Sequence, residues 1–115
     1  MTVVPKPKHR RRVPKQADRN EFDSLTRKRI KKRDNGQCQI CHAPGNTIHH
    51  VMPRGAATKG RGVFENGLLL CGTCHIQIHN DKKLLEHWQK VYEKRYGPNY
   101  YLDEWDRERE LSKWT

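Results

Sequence analysis

The clearest periodic stretch of the chain lies in residues 81–96. Leu84, Leu85, Trp88, Val91 and Tyr92 recur at i, i+1, i+4, i+7 and i+8, one apolar stripe on a 3.6-residue repeat. The spacing predicts a helix that Gly97-Pro98 terminates. The stripe reads as a surface facing the core, and His87 falls on this helix with no chemical part. Upstream, Phe22, Leu25 and Ile30 give residues 21–34 a thinner apolar face. Asp23 or Ser24 caps that helix and Gly36 ends it. Asp34-Asn35-Gly36 and Pro44-Gly45-Asn46 are turn signals. Residues 47–52 read as a first strand, and residues 54–62 as a loop with three glycines. Residues 63–70 give a short turn and a second strand, followed by a helix over 72–80. Strand, strand, helix with flanking helices predicts a small α+β fold. Residues 99–115 mix Tyr100, Tyr101, Leu102, Trp105, Leu111 and Trp114 with five acids and three basic residues. They predict a last, loosely packed helix whose aromatics could serve a partner protein.

Composition narrows the picture. The chain has 115 residues, 33% of them hydrophobic, with a mean hydropathy of -1.12. One domain is expected, with little apolar surface for its core; small domains so placed often use a metal staple. No run approaches the ~20 apolar residues of a membrane-spanning helix. Residues 1–16 carry no apolar run that would read as a secretory signal. Reduced cysteines and a cytoplasmic location are the resulting expectation.

The net charge of +11 is unevenly spread. Residues 1–33 hold 13 Lys or Arg and three acids, a net of +10; residues 34–115 hold 11 and 10, a net of +1. Such a segment is an electrostatic footprint for a phosphate backbone, although a solubilising tail would look the same. Residues 1–16 contain three prolines, six Lys or Arg and His9, and read as a disordered arm. The expected organisation is a basic arm over 1–20, a central domain over 21–96 and a C-terminal tail or helix over 97–115. Six basic residues crowd the first helix between Arg27 and Arg33. Like charges at this density repel, and phosphate would neutralise them. Arg27, Lys28 and Lys31 are therefore candidate nucleic-acid contacts.

All four cysteines and five of the seven histidines lie in residues 38–79. Cys38-x2-Cys41 and Cys71-x2-Cys74 are two knuckles of the kind that build a tetrahedral zinc site. A tight turn points both thiolates of each pair at one cation. Four thiolates leave no open position, so such a zinc is structural. Two disulfides would use the same residues, but without a secretory signal paired knuckles favour metal. The 29 residues between Cys41 and Cys71 exceed ordinary finger spacing, so a functional segment is inserted. His42 follows a knuckle that already has its cysteines. His49 and His50 are adjacent in an extended segment, where neighbouring side chains point to opposite faces. His75 and His79 are spaced i, i+4, on one face of a helix. His49, His75 and His79 thus offer up to three imidazoles to one cation. His50 is left beside it, where a general base would sit.

With both knuckles, His49-His50, Asn66 and the Cys74-His75-x3-His79 run in this order, residues 22–80 resemble an HNH endonuclease of the zinc-knuckle, ββα-metal type. Pro53-Arg54-Gly55 and the run from Glu65 to Cys71 also fit. Many members of that family carry Asp where this chain has His49. The resemblance implies a metal-dependent endonuclease that hydrolyses DNA phosphodiester bonds by nicking or double-strand cutting. It implies His50 as catalytic base, Asn66 fixing the loop that presents it, and His49, His75 and His79 on a catalytic Mn²⁺ or Mg²⁺. The loop holding Arg54, Lys59 and Arg61 is expected near the scissile phosphate. Such small proteins are often phage-encoded and work beside terminase subunits in genome packaging. The competing reading is a non-catalytic zinc-knuckle DNA-binding protein, which leaves the histidines and Asn66 without purpose.

The charge of the arm has a signature in solution. Deleting residues 1–16 is expected to weaken DNA binding and flatten its salt dependence. Each phosphate that the shortened chain no longer neutralises lowers the slope of log K against log salt by ~0.9. An unchanged slope in a binding titration would show the arm to be idle.

Overall fold

In the computed structural model, residues 12–55 and 57–112 are described; the arm's residues 1–11 fall outside them. The elements run α1 (Gln16–Asn20), α2 (Ser24–Arg33), β1 (Thr47–His50), a 3-10 turn (Phe64–Asn66), β2 (Gly67–Leu70), α3 (Gly72–Asn80), α4 (Lys82–Tyr96) and α5 (Glu104–Ser112). This is a small α+β fold. β1 and β2 pair antiparallel, with Ile48 opposite Leu69 and His49 opposite Leu68. No helix among the described residues is long and apolar enough to cross a membrane.

The sheet has two strands and helices on both faces, so β2 is buried along its whole length. Its alternation sorts the core. Leu68 and Leu70 pack with Val51, Ile78, Tyr92 and Tyr100 on one side. Leu69 points the other way, to Phe22 and Ile30. Ile48 of β1 joins the Leu69 side. Period-two geometry then places His50 with Ile48 and His49 on the opposite face.

Cap residues set the helix ends. The Asp23 carboxylate accepts the Thr26 N–H at 2.8 Å and opens α2. Asp81 accepts the Leu84 N–H at 3.1 Å and opens α4, which Gly97 closes in a left-handed conformation at φ 92°. The first helix is shorter than its pattern suggested, because Phe22 leaves the helix to enter the core. β1 stops at His50, because Asn66 takes over the next backbone groups. Its Oδ1 accepts the Met52 N–H at 2.7 Å and its Nδ2 donates to the Met52 carbonyl at 3.1 Å.

Three expectations need correction. Residues 16–20, assigned to the disordered arm, form α1, with Asn20 buried. The stretch after residue 97 is firmly packed, with Tyr100, Leu102 and Asp106 all buried. One arrangement explains both. Arg19 of α1 pairs with Asp103 at 2.7 Å and Asp106 at 2.8 Å, clamping α1 to the start of α5. Gly62 lets the segment after α1 lie close, since a Cβ there would meet the Glu21 carbonyl oxygen at 2.0 Å. Third, Arg33 does not belong to the basic face expected to meet phosphate. It pairs with Asp34 and donates to the carbonyls of Phe64 and Gly67 and to the hydroxyls of Tyr92 and Tyr96. Asp34 in turn accepts the Leu69 N–H at 3.2 Å, so the pair joins α2 to β2.

Breaking a buried charge pair leaves its partner uncompensated and costs ~3 kcal/mol or more. The Tyr92 hydroxyl accepts from Arg33 and donates to the Gly67 carbonyl at 2.7 Å, and each hydrogen bond removed costs ~1 kcal/mol. Arg33→Ala is therefore expected to destabilise the zinc-loaded protein more than Tyr92→Phe in denaturant unfolding. Equal losses would show that Arg33 is not the link between helix and sheet.

Candidate metal centres and catalytic cleft

Cys38 and Cys41 flank a turn before β1, while Cys71 and Cys74 straddle the start of α3. All four cysteines are free. Their sulfurs lie within 4.8 Å of one another, positioned to hold one metal ion. Four sulfurs at ~2.3 Å from a shared zinc would stand about 3.8 Å apart, and Cys41 Sγ lies 3.6 Å from Cys71 Sγ. The donor set thus fits zinc. Burial raises the Cys38 thiol, but backbone N–H groups of Cys41, Cys71 and Ile40 bring it down to about 6. Burial pushes the Cys74 thiol up. Cys71 is also the N-cap of α3, its sulfur accepting the Cys74 N–H at 3.4 Å.

The second cluster is built by β1 and α3. His49, His75 and His79 bring their ligating atoms within 4.8 Å of one another. The His75 and His79 rings stack at 4.8 Å, and His49 stands edge-on to them at 5.2 and 4.9 Å. His49 is 7% exposed, and its Nε2 is buried without a hydrogen-bond partner. Burial, aided by the neighbouring His75, His79 and His50, pushes its pKa down to about 3. A neutral imidazole with an unpartnered buried nitrogen offers a lone pair of the kind a cation takes, so these residues could hold one.

His50 leaves the strand toward Phe22, whose ring lies 4.4 Å from its own. Its Nε2 sits 2.5 Å from the Asn20 carbonyl oxygen. A carbonyl only accepts, so Nε2 carries the proton and Nδ1 of the neutral ring keeps a free lone pair. Burial lowers the His50 pKa; the Asn20 carbonyl opposes this and nearby Arg54 reinforces it. Both faces of β1 meet at its end, where His49, His50, His75 and His79 line one cleft of about 320 Å³ with Glu21, Phe22, Arg27 and Arg54. Asn66 is wholly buried. It also donates to the Arg61 carbonyl at 3.0 Å. It therefore positions the loop after His50 and touches nothing in the cleft.

The basic candidates separate. Arg54 is exposed at the cleft and lies 3.5 Å from Glu21. Arg27 lines the cleft, its Nε held at 3.0 Å by the Phe22 carbonyl. Lys28 and Lys31 are exposed on α2. Lys59 is half-buried in a left-handed turn at φ 57°. Arg61 is a correction. It is 3% exposed, paired with Asp106 at 2.7 Å and bonded to Asn20 Oδ1 at 2.9 Å, so it cannot reach a phosphate. The residues missed in the sequence were Arg61's partners, Asn20 and Asp106. No local pattern joins residues 41 and 45 positions apart.

The fold and the two clusters define a ββα arrangement stapled by a cysteine cluster. Residues 38–81 match the family model described as HNH endonuclease. The chain is also 32% identical over 58 residues to a protein from Sarcophyton glaucum named mitochondrial DNA mismatch repair protein mutS homolog. That similarity covers 47% of this chain, which spans only 6% of the relative's length.

Metal binding in such a cluster is part of the folding free energy. Cys38→Ser is expected to lose both bound zinc and the folded state, read by metal analysis and circular dichroism. A folded, zinc-free variant would sink the structural role.

Proposed function

We propose that the protein is a metal-dependent endonuclease that hydrolyses DNA phosphodiester bonds. The observation carrying this reading is the cleft at the end of β1. There His49 and His50 turn to opposite sides, one toward two further imidazoles and one toward a backbone carbonyl. The HNH match over residues 38–81 supports nuclease chemistry. The mismatch-repair relative's name supports DNA as the nucleic acid.

His49, His75 and His79 would hold a divalent cation. Bound there, the ion supplies Lewis acidity at the scissile phosphate and at the departing 3′ oxygen. Imidazoles suit Mn²⁺ better than Mg²⁺, which prefers oxygen ligands. His50 Nδ1 takes a proton from the attacking water, while Nε2–H stays on the Asn20 carbonyl and fixes the ring. Its lowered pKa keeps the ring neutral and able to accept near pH 7. Arg54 and Arg27 bind the phosphate at the cleft mouth, and Lys28 and Lys31 extend the basic track along α2. Cleavage leaves 5′-phosphate and 3′-hydroxyl ends.

Two variants separate base from ligand. A lost general base costs ~10² to 10⁴ in rate, whereas a lost ligand also weakens metal affinity. His50→Ala is expected to remove most plasmid cleavage at every Mn²⁺ concentration. His49→Ala should recover in part as Mn²⁺ is raised. Single-turnover rates against Mn²⁺ decide it, and the opposite pattern would reverse the two roles. A wild-type protein that binds plasmid and leaves it uncut with Mn²⁺ would point to a non-catalytic DNA-binding module.

A further inference from the structure

The buried polar network under His50 is larger than its packing requires. Arg61 grips the Asp106 carboxylate through two nitrogens, at 2.7 and 3.2 Å. Its third nitrogen donates to Asn20 Oδ1 at 2.9 Å. Arg19, next to Asn20, donates to Asp103 and to the same Asp106. The Arg19 carbonyl accepts the Gly62 N–H at 2.9 Å. Burial alone would raise the Asp106 carboxyl; the Arg61 hydrogen bond and the charges of Arg19 and Arg61 hold it well below the usual carboxylate range. The product of this wiring is one oriented group. Asn20 is fixed through its side chain and through its neighbour Arg19, and its carbonyl meets His50 Nε2. The Arg61 carbonyl meanwhile accepts from Asn66, so Arg61 joins the two supports of the loop and the ring. Asn20 and Asp106 both lie outside the family-matched residues 38–81.

We propose that Asp106 of α5 is a positioning residue for His50, acting through Arg61 and Asn20, so that the C-terminal segment belongs to the catalytic unit. This rests on the nuclease reading for its consequence in rate, though not for its geometry. Without the Asp106 carboxylate, Arg61 loses its anchor, Asn20 is free to turn, and the carbonyl no longer selects the Nε2–H form of His50. A neutral imidazole then divides its proton between both nitrogens, and only one form presents Nδ1 as a base. A displacement of ~1 Å of a reacting group costs up to ~10²-fold in rate.

The test uses the full zinc-loaded chain and four proteins: wild type, Asp106→Asn, Asn20→Ala and Asn20→Asp. Asn20→Ala leaves the Arg19–Asp103–Asp106–Arg61 charge cluster intact, so it stands in if Asp106→Asn does not fold. Long-range ¹H–¹⁵N imidazole spectra at fixed pH read the His50 tautomer without any cleavage. Single-turnover cleavage at saturating plasmid with Mn²⁺ reads the rate, and a binding titration reads DNA affinity. The expected result is a single Nε2–H form in wild type and a mixed population in Asp106→Asn and Asn20→Ala. Their rates should fall ~10- to 10²-fold with DNA affinity held within about threefold, and Asn20→Asp, which keeps an acceptor for Arg61, should recover most of the loss. An unchanged His50 spectrum in both variants overturns the proposal. So does a loss of thermal stability with cleavage rate intact. If the spectra respond while wild type does not cut, the nuclease reading has failed and the positioning geometry stands.

Discussion

Four sulfur atoms within 4.8 Å of one another are the constraint on which the rest of this structure depends. Ionised together they would repel strongly, and protonated they would forfeit their use; a cation removes the conflict. The opposed tendencies of Cys38, pulled down by backbone N–H groups, and Cys74, pushed up by burial, show a cluster whose charge needs an outside partner. An ion bound there would secure the start of α3. Cys71 caps that helix and Cys74 is buried in its first turn. His75 is the next residue, facing the other cluster. Two clusters thus share one short helix, and the placement of His75 and His79 follows from where the cysteines hold the start of that helix.

The second constraint is β2. A strand buried on both faces cannot slip, because a one-residue shift would exchange Leu69 for Leu68 or Leu70 in differently shaped surroundings. Its register fixes β1, and β1 splits His49 from His50. Adjacent residues gain different electrostatic settings by strand geometry alone. His49 meets two imidazoles and loses its proton readily; His50 meets a carbonyl that tells it which nitrogen to protonate. One is suited to binding an ion and the other to moving a proton, with no difference in residue type.

The local grammar of the chain was legible. α3 was read at its observed bounds, and α4 to within one residue, from a periodic stripe and strong caps. The knuckles announced themselves by spacing, as did the i, i+4 histidines. Long-range charge was not legible. Arg33 and Arg61 look like other basic residues in a basic chain, and nothing nearby marks them as buried. Apart from Asp34, which adjoins Arg33, their acceptors are carbonyls, hydroxyls or, for Arg61, the distant Asp106 carboxylate, which leave no sequence signature. α1 was hidden because five residues with one buried side chain make no periodic pattern. The last helix was legible but its firm packing was not, because its anchors are the acids Asp103 and Asp106, ordinary in an exposed helix.

That asymmetry bears on where the chain's charge is spent. Of the basic residues expected to face phosphate, the exposed ones lie on α2 and at Arg54, around the cleft mouth. Arg19, Arg33 and Arg61 are turned inward, each neutralised by an acid or ringed by carbonyls and hydroxyls. An arginine serves this better than a lysine, since its planar fork satisfies several acceptors at once. A small core with little apolar surface thereby gains fixed geometry from buried polar contacts, which hold only when every partner is present. The arrangement ties α1 and α5 to the loop bearing Arg61. α1 supplies the carbonyl that meets His50, and α5 supplies the carboxylate that braces it through Arg61.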